Sequence, residues 1–192
     1  MVIFTSTNEE KVGNIMKNSE ISLKKICGFY VNEWHLTTMT LPHINKQLKE
    51  KVKIITLLEE GIKDNIEQLL SKMNLDEKTK EQILQINWTS YKEESYMKIE
   101  KRILNSIKKQ DKIEIIIKGN NEYINIMNKQ IEKVIEGNSK KIKNKQINVI
   151  NYYEVTQFSN INDILQMHDL ILNTSGIRNI EDVFDGYKKV AL

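Results

Sequence analysis

The 192-residue chain predicts an α/β domain: a mostly parallel central sheet of about five strands flanked by helices. Three observations lead there. Short β-rich runs alternate with longer stretches whose apolar residues recur every three or four positions. The clearest strand, Lys112-Ile113-Glu114-Ile115-Ile116-Ile117-Lys118, ends at Gly119-Asn120-Asn121. The first strand, Lys24-Lys25-Ile26-Cys27-Gly28-Phe29-Tyr30-Val31, runs into a loop and then a helix, the layout of a phosphate-binding α/β enzyme.

The elements follow in order. A helix from about His35 to Glu50 carries Leu36, Met39, Ile44 and Leu48, with Pro42 expected to kink or loosen it. The second strand is Val52 to Leu58, ended by Glu59-Glu60-Gly61. Ile62, Ile66, Leu69, Leu70 and Met73 form the stripe of the next helix; Asp76 caps another short one to Leu84. Gln85 to Trp88 reads as a short strand, and Ser90 to Gln110 as a long helix bearing Tyr96, Ile99, Ile103, Leu104 and Ile107. After the Lys112–Lys118 strand, a helix turns Tyr123, Ile124, Met127, Ile131, Val134 and Ile135 inward and stops at a Gly137 cap. Ile147 to Tyr153 is a strand, Ile161 to Leu172 the final helix, and Asn173 to Leu192 a short mixed tail. That makes five strands and about six helices in one domain over 21–192, behind a partly ordered leader at 1–20.

The turn after the first strand is the informative one. Asn32-Glu33-Trp34-His35-Leu36-Thr37-Thr38 has no glycine and no lysine, both of which a G-x-x-x-x-G-K-[ST] loop needs to curl backbone amides and a cation round phosphates. Only the paired threonines survive, and Glu33 would repel a polyphosphate. The scaffold has the nucleotide-binding layout without that chemistry.

Bulk composition narrows the partners. With 29 basic and 26 acidic residues the net charge is +3, which argues against a nucleic-acid surface built on charge alone. The one dense cationic run, Lys140 to Lys145, reads as a solvated loop. Cys27 is alone, so it forms no internal disulfide, reads as a packed thiol, and fits a reducing cytoplasm. No apolar run approaches the roughly 20 residues that span a bilayer.

Two blocks of residues resemble the methanogen/methylotroph sensory (MEDS) domain family, a degenerate RecA-like, P-loop-derived fold. The first is Leu41-Pro42-His43-Ile44-Asn45-Lys46-Gln47-Leu48 leading into Val52-Lys53-Ile54-Ile55-Thr56-Leu57-Leu58-Glu59-Glu60. The second is Ile150-Asn151-Tyr152-Tyr153-Glu154-Val155-Thr156-Gln157-Phe158, then Ile164 to Leu172. The chain departs from the family pattern at Asp169, where proline is usual, and at Gln47, where glycine is usual. The resemblance covers about Lys24 to Phe184, and Asn74 to Lys118 matches in outline only. It implies a RecA-like three-layer architecture and sensing of a small, hydrocarbon-like ligand, or a regulatory role beside kinases and transcription regulators. Typical members carry an output domain; here output would pass through a partner.

The candidate ligand-binding residues are Trp34, His35, Glu59, Tyr153 and Glu154, all placed where open α/β sheets bind ligands, at the carboxyl ends of strands. Each has a plainer reading. Trp34 closes a core edge, Glu59 and Glu60 are solvated acids before a helix, and Tyr153 packs beside Phe158. His168 caps a helix end, and His35, His43 and His168 are too scattered for a metal site.

The expectation is therefore a cytoplasmic sensory or signal-transduction domain, not an enzyme, with no catalytic residue, metal or cofactor. Its partner would be a small molecule or a kinase or transcription regulator, with no nucleic acid and no membrane, and a homodimer through the Ser90–Gln110 helix is possible. The alternatives are an enzyme built on Glu59, Glu60 and His35, and a nucleotide-binding protein with a non-standard loop.

Overall fold

A computed structural model describes residues 21–91, 94–140, 142–158 and 160–189; the expected leader at 1–20 lies outside them. The elements run β1 (Ser22–Tyr30), α1 (Glu33–Lys49), β2 (Lys53–Leu58), α2 (Lys63–Lys72), α3 (Glu77–Leu84), α4 (Tyr96–Lys109), β3 (Lys112–Lys118), α5 (Asn121–Asn138), β4 (Gln146–Glu154), α6 (Ile161–Gln166), β5 (Leu170–Asn173) and β6 (Gly176–Asn179). The strands form one sheet in the order β2-β3-β4-β1-β5-β6. All neighbours are parallel except the β5–β6 hairpin. Helices cover both faces, giving the three-layer α/β architecture with a mostly parallel sheet that the sequence leads one to expect.

Two apolar cores flank the sheet because alternate residues of each strand point to opposite faces. On one face Ile113, Ile115 and Ile117 of β3 meet Ile99, Ile103 and Ile107 of α4 and the buried stripe of α5. On the other, Ile116, Ile150 and Tyr152 meet Leu36, Met39 and Ile44 of α1, with Trp88 and Ile83 closing the end. The α4 stripe is thus consumed internally; the surface that α4 presents to solvent is cationic.

Two polar clasps fasten α1 across β3. Glu114 and Lys118 share the α1-facing side with Ile116. Glu114, fully buried, lies 2.8 and 2.9 Å from Nε2 of the buried His43. Lys118 Nζ lies 2.7 Å from Glu33 Oε1. His43 and Glu33 stand about 15 Å apart along the helix, and their partners about 13 Å apart along the strand, so the spacings match when the two elements run antiparallel. Between the clasps, the Thr40 hydroxyl lies 2.8 Å from the Tyr152 hydroxyl.

Several expectations are corrected. The sheet has six strands, because the segment read as a helix from Ile161 to Leu172 ends at Gln166 and Leu170–Asn173 pairs with β1 instead. Gly176, at φ 101°, turns the chain back into β6. Gln85 to Trp88 forms no strand, and α4 begins at Tyr96. Helix α5 runs through Gly137, and its C-cap Ser139 is right-handed, so the glycine is not the cap. Helix α1 continues through Pro42, whose ring lies on the exposed side. The Asp76 cap on α3 is as read, its side chain accepting from Thr79 N at 2.9 Å.

Candidate functional site

Strand carboxyl ends and helix amino ends share one edge of the sheet, and ligand sites in open α/β sheets lie there. At the β1 end the connection to α1 is Val31 and Asn32 alone, against the roughly eight residues of a phosphate-binding loop. The expected turn through Thr38 is instead helix from Glu33 on. Asn32 Oδ1 accepts from His35 N (2.9 Å) and caps it. Thr37 and Thr38, the residues reminiscent of a phosphate loop, donate to helix carbonyls of Glu33 and Trp34. Beside this turn the buried Tyr30 hydroxyl is pushed well above the ordinary tyrosine range by burial first, then by Glu33, Glu154, Glu60 and Glu59.

A cavity of about 340 Å³ at this edge lies one step away, between the starts of α4 and α5. Its walls are Tyr91, Tyr96 and Tyr123, the carboxylates Glu59, Glu94 and Glu122, and the apolar Ile99, Ile126 and Met127. Among the described residues no lysine or arginine lines it, though Arg102 lies behind Glu94 and Tyr91. The two helix starts would ordinarily attract anions, but acids already attend them. Glu59 accepts from Asn120 N (2.8 Å) and Asn120 Nδ2 (3.1 Å), and Glu94 just precedes α4. The Tyr123 hydroxyl is shielded from solvent with no hydrogen-bond partner among the described residues. Its pKa is raised by burial first, then by Glu59, with Arg102 opposing.

Gly119 makes this closeness possible. A Cβ there would lie 2.6 Å from Tyr123 Cδ1 and 2.9 Å from Glu59 Cβ. Gly119→Ala is expected to cost about 1–3 kcal/mol in urea unfolding, the usual penalty of overpacking, and to deform the cavity. A cost below about 0.5 kcal/mol would contradict this packing.

The expected site residues do not converge. Glu59 lines the tyrosine–glutamate cavity. Tyr153 packs in the same core but on the other side of α5, against Phe29 and His168, beside a separate cavity of about 150 Å³. Trp34 is 42% exposed, with Lys72 Nζ 5.4 Å from its ring centroid. His35 Nδ1 accepts from Val31 N at 3.3 Å, and Glu154 accepts from Gln157. Tyr96 and Tyr123 are absent from the expectation because both fit the helical apolar stripes; the available signal is their place in the first turn of helices that begin at the ligand-bearing edge.

A second polar centre lies inside the core that α5 covers, on the face opposite the His43–Glu114 clasp. His168 Nδ1 donates to Ile164 O (2.6 Å), which leaves Nε2 to accept from Asn151 Nδ2 (2.9 Å); Asn151 Oδ1 accepts from Asn128 (3.0 Å). The helix-end role read for His168 holds, but for a neutral ring: burial lowers its pKa to about 4. Cys27 is a packed thiol, fully buried, its pKa pushed up to about 12 by burial. Among the described residues, no group of three or more His, Cys, Asp or Glu is placed to hold a metal, and no helix is long and apolar enough to cross a membrane.

No family model matches the chain, and no curated protein does. Among solved structures it is similar to the ATPase domain of another protein, at 11% identity and a TM-score of 0.47, over 97% of this chain and 88% of that one. This likeness assigns no activity to the present chain. The expectation that the chain is not an enzyme is nevertheless corrected: a structure aligning with nearly its whole length is an ATPase domain, and the exclusion of nucleotide hydrolysis is withdrawn.

Proposed function

We propose that this RecA-like α/β domain is a regulatory ligand-binding domain whose tyrosine–glutamate cavity takes a small organic cation with an apolar body. One observation carries the reading: Tyr96, Tyr123, Glu59 and Glu122 line one cavity at the ligand-bearing edge, with no cationic side chain among its described lining residues, while Arg102 already attends Tyr91 and Glu94. Aromatic faces attract cations, most strongly when desolvated, and the carboxylates reinforce that sign. The cavity volume of about 340 Å³ lies at the lower end of small-molecule sites. The apolar floor of Ile99, Ile126 and Met127 suits methyl groups, which agrees with the hydrocarbon-like ligand that the MEDS resemblance implies. A regulatory role rests on that resemblance.

Choline is a suitable probe. It is expected to raise the melting temperature and to shift amide resonances of Tyr96, Asn120 and Tyr123. Tyr96→Ala with Glu122→Lys changes two exposed positions at the helix starts. That pair should weaken choline binding by about tenfold or more through loss of a ring and a charge reversal, with little change in melting temperature. Equal response to choline and to acetate would remove the basis for a cation site.

A further inference from the structure

We propose a second site of opposite character: the groove between α4 and the edge strand β2 binds a small polyphosphate anion through Arg102 and the surrounding lysines. The groove encloses about 590 Å³, and among the described residues Lys53, Lys98, Lys101, Arg102 and Lys109 line it against one acid, Glu94. Four of these cations recur along one face of α4, opposite the buried stripe of Ile99, Ile103 and Ile107. Core packing explains that stripe; it gives no reason for a row of like charges on the other side. Stable surfaces intersperse both signs, yet Lys53, Lys98, Lys101 and Lys109 form no ion pair among the described residues.

Arg102 supplies the second, independent observation. Its Nη1 lies 3.0 Å from Glu94 Oε2, and its Cζ sits 4.1 Å from the Tyr91 ring centroid. The guanidinium is therefore held on one edge and one face. Its Nε and Nη2 are shielded from solvent and have no hydrogen-bond partner among the described residues. Turned outward from this shielded position by the partly exposed side chain, those two N–H groups would form the side-on fork that grips a phosphate bidentately. A shielded, unpaired donor is costly, and an anionic oxygen at the fork would satisfy both. The lysines, as mobile point charges, would meet the remaining charge of a polyphosphate.

The test is titration of the full chain with inorganic tripolyphosphate at fixed ionic strength, read by calorimetry and by the Arg102 Nε–H resonance. Binding is expected to move that resonance. Lys98→Glu/Lys101→Glu should weaken it about tenfold or more without changing the melting temperature, as reversal of two facing charges would. Arg102→Lys should also weaken it, since the charge stays but the fork is lost. Three outcomes would each overturn the proposal: an unmoved Arg102 resonance, equal weakening by the distant Lys129→Glu/Lys143→Glu, or equally tight binding of the tricarboxylate tricarballylate.

Discussion

Replacing Glu114 by alanine is expected to destabilise the fold by about 3–5 kcal/mol, the cost of breaking a buried pair by removing one partner. Glu114 is fully buried, and both carboxylate oxygens lie within 2.9 Å of His43 Nε2. Alanine would leave the buried imidazole facing apolar neighbours and open a void in the centre of β3. The double variant His43→Leu/Glu114→Leu tests whether the loss is of pairing or of volume. Well-packed apolar residues often match or exceed a buried polar pair, so the double variant should recover most of the loss. Urea unfolding with unchanged m-values is the measurement. A loss below about 1 kcal/mol in Glu114→Ala would contradict the clasp.

The second large effect is on pH dependence. His168 has a folded-state pKa of about 4, lowered first by burial, against an ordinary value of 6.5. Lys25 and Lys189 lower it further; the hydrogen bond to Ile164 O and the charge on Asp169 oppose them. Above pH 6.5 the ring is neutral in both states and its contribution to stability is fully present. As pH falls from 6.5 towards 4, the unfolded chain takes up a proton that the folded chain refuses, so stability falls. The slope is about 1.4 kcal/mol per pH unit, or about 3 kcal/mol across the window. His168→Gln should flatten the curve between pH 6.5 and 4 relative to the parent. Asp76 and Asp111, whose pKa values are lowered by hydrogen bonds from Thr79 and Lys145, lose their contributions only as pH falls through those lowered values. Parallel curves for the parent and His168→Gln would contradict the buried neutral ring.

These two histidines show what the sequence reveals and what it hides. Strands β2 to β4 are legible because each is a concentrated β-branched run closed by a polar or glycine exit, and β1 because its apolar end at residues 26–30 runs straight into a polar turn. The Asp76 cap is legible because it is local. The helix–strand exchange at Ile161–Leu172 is not: Ile164, Leu165, Leu170, Ile171 and Leu172 fit both periods. Only the pairing of Ile26, Cys27 and Gly28 with Leu170, Ile171 and Leu172 decides between them. The His43–Glu114 clasp joins residues 71 positions apart; its sole sequence trace is an acid inside an otherwise apolar strand. Of the candidate site, Glu59 is legible from the strand-end rule. Tyr96 and Tyr123 are hidden by their fit to helical stripes, and Arg102 by the long-range contact that sets it on Tyr91.

What enters the tyrosine–glutamate cavity is the most direct question to put to the molecule. An amide-resolved titration of the full chain with choline should move Tyr96, Asn120 and Tyr123 together and saturably, and Tyr96→Ala/Glu122→Lys should abolish the shifts. Shifts confined to other faces, or the same three residues responding to Mg·ATP and not to choline, would contradict a cation-binding cavity.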